Sequence, residues 1–210
     1  ATSAANEPGK VAVRLQDNDR TYDIRTATAN SPILLDIAKY DGDWFVVAGA
    51  AAENKTYIYK NPMAALNDKP TAPLVPVQVL KTVNPNYVSF SDNTRFIMTE
   101  NGQDFSVYDA EYDKKYAYTT TQPLDAPQLH AEWMDGHRLA YMSGSKLVVF
   151  DYDNTNSEML VAADPQYGAF FNKNFEAFYS LVVQPSKDAA GHDTAQYSVT
   201  RTPLRTPADL

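Results

Sequence analysis

The sequence contains no cysteine in its 210 residues. That excludes disulfides, thiolate metal sites and cysteine nucleophiles. It leaves the compartment open, since secreted bacterial proteins also do without cysteine. Histidine is scarce: His130, His137 and His192 lack the spacing of a metal site, and a structural or surface role is expected for each. No G-x-S-x-G stretch occurs, so no α/β-hydrolase nucleophile turn is present. Positive charge is in deficit, with 18 Lys and Arg against 26 Asp and Glu and a net charge of −8. No basic cluster appears, and nucleic acid is excluded as a partner because phosphate binding needs a basic stripe. No apolar run approaches a membrane span, the longest being the strand-sized "FVVAGAAA" of residues 45–52. The chain opens "ATSAANEPGK" without Met. The expectation is a processed or excised chain whose signal or membrane anchor lies upstream.

What is present favours strands. Fourteen Tyr and nine Phe suit pleated sheets better than helices. Tight-turn signals punctuate alternating apolar runs at Asp135-Gly136, Ser143-Gly144-Ser145 and Asn101-Gly102. One pattern recurs: "WMDGHRLAY" at 133–141, "FSDNTRFIM" at 90–98, "FNKNFEAFY" at 171–179 and a weaker "KYDGDWFVV" at 39–47. Each is a strand end, a polar turn and a second strand. A unit of about 40 residues with four short strands is the signature of a β-propeller blade. Strands are expected near 86–90, 95–99, 104–109 and 115–120, then 128–133, 137–142, 146–151 and 158–162.

"FSDNTRFI" and "WMDGHRLAY", the latter followed by "VVFDYDNTN", resemble the TolB-type variant of the WD-like propeller repeat. The chain departs from that pattern by lacking Pro before Asp135 and by carrying Asn154 in place of a glycine. The "FDYDNTN" style also resembles the C-terminal propeller of membrane-anchored envelope proteins with a PEGA module upstream. The resemblance implies an all-β chain of four-stranded antiparallel blades, about four to five in number, in a complete or partial ring. It implies a non-enzymatic, extracytoplasmic binding platform, and it carries over no functional residues.

The expected organisation is a disordered segment 1–10, a propeller domain 11–202 and a tail 203–210. Repeat units fall at about 33–80, 86–120, 128–162 and 167–201, with an N-terminal hairpin at 11–26. That hairpin is expected to close on the last unit near Gln196–Arg201, or else to be the tail of a truncated blade. The first unit carries an insertion, "NPMAALNDKPTAPLVP", with Asn61 as N-cap and Pro62 at the first helical position. The last unit carries a polar insertion, "QPSKDAAGHD", at 184–193.

Three motifs invite chemistry and fail. Asp151-x-Asp153-x-Thr155 opens like a calcium loop, but Asn156 and Ala162 stand where Gly and Glu are needed. A turn satisfied by its own backbone is expected instead, and no metal or other cofactor. Ser143-Gly144-Ser145-Lys146 spells S-x-x-K, but between strands rather than on a helix. Trp44, Trp133, Phe90 and Phe171 could stack on a ligand. Phe90, Trp133 and Phe171 occupy the repeat's own aromatic position, so they are expected to be structural core between blades.

The function expected is a non-catalytic binding scaffold engaging a protein or cell-envelope polymer. The alternative is a propeller hydrolase or lyase with an acidic central site. Recognition is expected from the loops at one end, because loops carry function while sheets hold them in place. The candidate residues there are Asn86, Tyr87, Asn101, Gln128, Gln166, Tyr167 and His192. The opposite end bears the acidic turns 110–114 and 152–157.

Overall fold

The structure is a computed structural model that describes residues 2–3, 8–69, 72–125, 130–163, 169–172 and 176–203. The chain forms two compact units, Ala1–Thr120 and Thr121–Leu210, where the sequence pattern suggested one domain. The fold is all-β. In the first unit, β1 (Thr2–Ser3), β2 (Lys10–Asp17) and β3 (Arg20–Thr28) make a three-stranded sheet in that order. Next come β4 (Ile33–Tyr40), β5 (Asp43–Ala50), β6 (Lys55–Lys60) and β7 (Gln78–Leu80), then β8 (Tyr87–Phe90), β9 (Phe96–Asn101), β10 (Asp104–Asp109) and β11 (Lys114–Thr119). Each set of four is an antiparallel meander. The second unit holds a third such meander, β12 (Glu132–Trp133), β13 (Arg138–Ser143), β14 (Lys146–Asp151) and β15 (Glu158–Ala162). It also holds a three-stranded sheet of β16 (Ala169–Phe171), β17 (Ala177–Lys187) and β18 (Asp193–Pro203). These are blades of the β-propeller type, numbered one to five along the chain.

The recurring sequence unit lands where the pattern put it. Each copy joins a blade's first strand to its second: β4 to β5, β8 to β9, β12 to β13 and β16 to β17. The reason is chemical. Two of the copies turn through left-handed backbone, at Asp41 (φ 46°) and Gly42 (φ 86°) and at Thr94 (φ 60°), whereas Asp135-Gly136 turns without it; Asp and Gly accept that conformation at least cost.

Blades stack through apolar faces. Strand β5 shows how: everything from Phe45 to Ala50 is buried. Its odd members Phe45 and Val47 face the third blade with Ile58, Val88, Ile97 and Tyr108. Its even members Val46, Ala48 and Ala50 face the first blade with Val13, Tyr22, Ile24 and Ala27. A strand covered on both faces reads as a continuous apolar run, not an alternating one. Gly49 interrupts that run because a side chain would meet the Lys55 carbonyl oxygen at 2.9 Å. In the second unit Met134, Ala140, Met142, Leu147 and Val149 of the fourth blade pack against Phe178 of the fifth.

Several expectations need correction. The hairpin 11–26 does not close on Gln196–Arg201. It forms β2 and β3 of its own blade, joined by Thr2 and Ser3 opposite Ala12 and Val11, while β18 pairs with β17. The 184–193 insertion is no loop. It lengthens β17 and β18 into a ribbon turned at Asp188–Gly191, because eleven cross-strand pairs satisfy more backbone than a polar excursion would. Asn61 precedes the helix α1 (Pro62–Asp68) but makes no capping bond. Its side chain accepts the Trp44 N–H at 2.8 Å and donates to Asp43 at 2.6 Å, tying the insertion to β5 instead.

Among the expected core aromatics, Phe90, Trp133 and Phe171 are all partly buried, Phe90 and Phe171 at the edges of their clusters. The fully buried large side chains include Phe96, Phe105, Phe150 and Phe178, on inner strands of the blades. Phe178→Ala should therefore cost about 3–5 kcal/mol in a urea unfolding experiment. Trp133→Ala should cost measurably less. An equal loss at both positions would return Trp133 to the core.

Candidate functional site

The structure brings Asn86, Tyr87 and Asn101 together at the β8–β9 end of the third blade. The Asn86 N–H donates to the Glu100 carbonyl at 2.9 Å, and Tyr87 pairs with Glu100 across the strands. Asn101 uses its side-chain amide to hold the Val83 carbonyl at 2.9 Å, so it anchors the 81–87 loop. His192 belongs to the second unit, in the β17–β18 turn, where Nδ1 lies 3.0 Å from Asp188. Gln128, Gln166 and Tyr167 lie outside the described residues.

The carboxylates of the acidic turns are engaged locally. Asp151 and Asp153 accept bonds from Asn156 Nδ2 (2.6 Å) and the Thr155 hydroxyl (2.6 Å), and the Thr155 N–H donates to Asp153 at 3.1 Å. Asp109, fully buried, receives a bidentate Arg95 at 2.9 and 2.7 Å and the backbone N–H of Glu111 at 3.0 Å. Arg95 also pairs with Glu111 and lies over the Tyr112 ring. Its guanidinium is held charged by the Asp109 hydrogen bonds. The equivalent Arg138 folds back onto Asp135 of its own turn, Nε at 2.7 Å. These contacts hold turns.

The cleft that the fold does build lies beside β3. It encloses about 850 Å³ between Arg20–Arg25 of β3, Tyr59 of β6, and the insertion, through Leu66 and Asn67 of α1 and residues 72–74. Six consecutive strand residues line it. A sheet face shows only alternate residues, so a continuous run means that the strand presents its backbone edge. Among the described residues no further strand lies beside β3 in its sheet. The two-residue turn Asn18-Asp19 makes Asp17 and Arg20 the closing pair. Closing residues bond to each other, so Thr21 turns its N–H away from β2 and toward the cleft. At the far end the Thr28 N–H is already satisfied by Glu53 Oε1 at 2.9 Å.

The charges around the cleft are unequal. Arg25 stacks over Tyr57 at 4.0 Å and pairs with Glu53 at 2.7 Å, and Asp23 pairs with Arg14. Arg20 donates to the neutral Asn67 amide at 3.2 Å and, among the described residues, has no carboxylate partner. The cleft therefore offers backbone donors and acceptors, an apolar wall of Leu66 and Leu74, and one cation. None of these residues stood out in the sequence. The signals were there separately, an edge hairpin and a proline-rich insertion, but nothing in the linear order says that one folds against the other.

No protein-family model matches the chain, and no curated protein does. Solved structures similar to it include the dihydro-heme d1 dehydrogenase NirN, at 13% identity over 97% of this chain and 46% of that one, with a TM-score of 0.49. The periplasmic gluconolactonase PpgL of Pseudomonas aeruginosa is 13% identical over 93% of this chain and 67% of that one, with a TM-score of 0.46. The WD40 domain of SCAP from fission yeast is 6% identical over 88% of this chain and 56% of that one, with a TM-score of 0.45. The chain thus spans about half the length of the first of these structures.

Asp135 gives a pH test of the turn contacts. Burial pushes its carboxyl up, but the N–H groups of His137 and Arg138 and the Arg138 guanidinium outweigh that, and the net value lies below the ordinary range. A depressed folded value stabilises fully above the unfolded value of about 3.9 and is lost as pH falls through the folded one. Asp135→Asn should remove that acid-side decline in urea midpoints measured from pH 6 downward. A variant with the same decline would show that the turn contributes no charge-dependent stability.

Proposed function

We propose that the protein is a non-catalytic binding scaffold that takes an extended segment of a partner protein along the edge of β3. The observation that carries this reading is the continuous run Arg20–Arg25 lining an open cleft at an unpaired strand edge. Strand addition supplies affinity through main-chain hydrogen bonds, and neighbouring pockets select alternate side chains. Here the incoming segment would become the fourth strand of the first blade. Its apolar side chains would meet Leu66 and Leu74, and an acidic one would meet Arg20. The segment therefore has β-propensity and at least one Asp or Glu. On this reading the propeller resembles those of membrane-anchored, PEGA-containing envelope proteins, acts outside the cytoplasm, and meets its partner there. Envelope polymers are the competing ligands, and the loop end with Asn86 and Tyr87 is the competing surface.

A displayed library of random peptides, screened against the protein and followed by amide hydrogen exchange, tests the proposal. Selected peptides should be extended and acidic, and they should protect the Thr21 and Asp23 amides. Thr21→Pro removes one edge donor at a strand margin that tolerates proline and should weaken binding at least about tenfold, the equivalent of one or two lost hydrogen bonds. Tyr87→Ala should leave binding unchanged. Binding that survives Thr21→Pro and is lost in Tyr87→Ala, or selection of glycans alone in a parallel array, would overturn the reading.

A further inference from the structure

The first and fifth blades end differently. The face of the first blade turned away from the second carries Lys10, Arg14, Gln16, Thr21 and Asp23 around the small, buried Ala12, with Arg14 and Asp23 paired. It is a polar cap of the sort stacked repeats use at a terminus. Among the described residues the fifth blade has no such cap. One face buries Phe178 and Phe171 against the fourth blade. The opposite face, read from the register, presents Phe170, the Leu181–Val199 row and the Val183–Tyr197 row. Phe170 is 65% exposed, Val199 69% and Tyr197 57%. Contiguous exposed apolar side chains on a sheet face mark an interaction surface.

The charges at the two ends of this face say what covers it. The rows run Lys187–Asp193, Pro185–Ala195, Val183–Tyr197, Leu181–Val199 and Tyr179–Arg201. Val183–Tyr197 is the middle row. A two-fold axis lying in the interface across the strands at that row reverses the order of rows and keeps each strand over its own copy. It sets Arg201 opposite Asp193 of the second molecule, and Tyr179 opposite Lys187. Val199 then faces Ala195, Leu181 faces Pro185, and the middle row faces itself. The Asp193 side chain is 93% exposed, and its ion pair with Lys187 at 3.8 Å leaves room on the carboxylate for a second cation. Aligned sheets pack about 30° apart, and an arginine side chain is long enough to span the resulting offset at the ends.

The geometry points to a second copy of this chain as the occupant: the protein forms an isologous dimer through the outer face of its fifth blade. Isologous contacts are self-complementary by construction, which is the property this face has in both its apolar middle and its charged ends.

Sedimentation equilibrium over a range of protein and salt concentrations tests the dimer. The wild-type protein should show a monomer–dimer equilibrium. Val199→Lys should shift it to monomer. Arg201→Asp and Asp193→Arg should each weaken it at least about tenfold, and the double variant should recover most of that loss, since opposed charges are restored. All three sites are exposed strand positions, and unchanged urea midpoints confirm that the four variants remain folded. A wild-type protein that stays monomeric at the highest concentration reached overturns the proposal. So does a double variant no tighter than either single one.

Discussion

Everything in this protein depends on covering sheet faces. A strand such as β5, apolar on both sides, is stable only if one blade lies on each face, and the buried members of its run divide by parity between two clusters. Each fully buried aliphatic or aromatic side chain contributes about 1.5–3 kcal/mol relative to exposure. The two clusters on either side of the second blade thus dominate the stability of the first unit. Polar groups that cross these interfaces pair with one another, as Thr82 and Ser106 do at 3.1 Å, because an unpaired hydroxyl there would cost more than the bond returns.

Function is displaced to where that rule ends. Within a stack of blades the faces are covered, while each sheet keeps an edge strand at either side. At the first blade the face is capped by polar residues but the β3 edge is open, and the insertion of the second blade folds beside it to make a cleft. At the fifth blade the face itself is open. The two proposed contacts are different solutions to the same shortage of partners: one completes a sheet by a strand, the other covers a face by a copy of itself.

The turns show a repeat reused with altered contacts. Arg95 and Arg138 occupy the same place in their units, yet Arg95 reaches across to Asp109 and Arg138 folds back to Asp135. Both turns carry an aspartate at the matching position, Asp92 and Asp135, and in the fourth blade Asp135 takes the N–H groups of His137 and Arg138 as well as the Arg138 guanidinium. In the third blade the turn is closed by Ser91 and Asn93, which take the N–H groups of Phe96 and Arg95. Its arginine is therefore left to bridge to the end of β10. A repeated motif specifies backbone shape more firmly than it specifies which side chains meet.

The sequence by itself determined the all-β class, the recurring strand–turn–strand unit and the strand positions of the middle blades to within a few residues. Those are local matters: side chains alternate along a strand, and Asp, Asn and Gly enter tight turns at low cost. It also determined the self-satisfied "DYDNTN" turn, since Asp and Asn bond to their near neighbours. Only the tertiary structure decided the partner of the N-terminal hairpin, because β-pairing is non-local and any edge strand of suitable pattern could accept it. It decided that Asn61 ties a loop and does not cap a helix, and that the polar stretch 184–193 extends a ribbon. It also placed residues 20–25 against Leu66, Asn67 and residues 72–74, some forty positions away, and so made a cleft from two segments that are unremarkable when read alone.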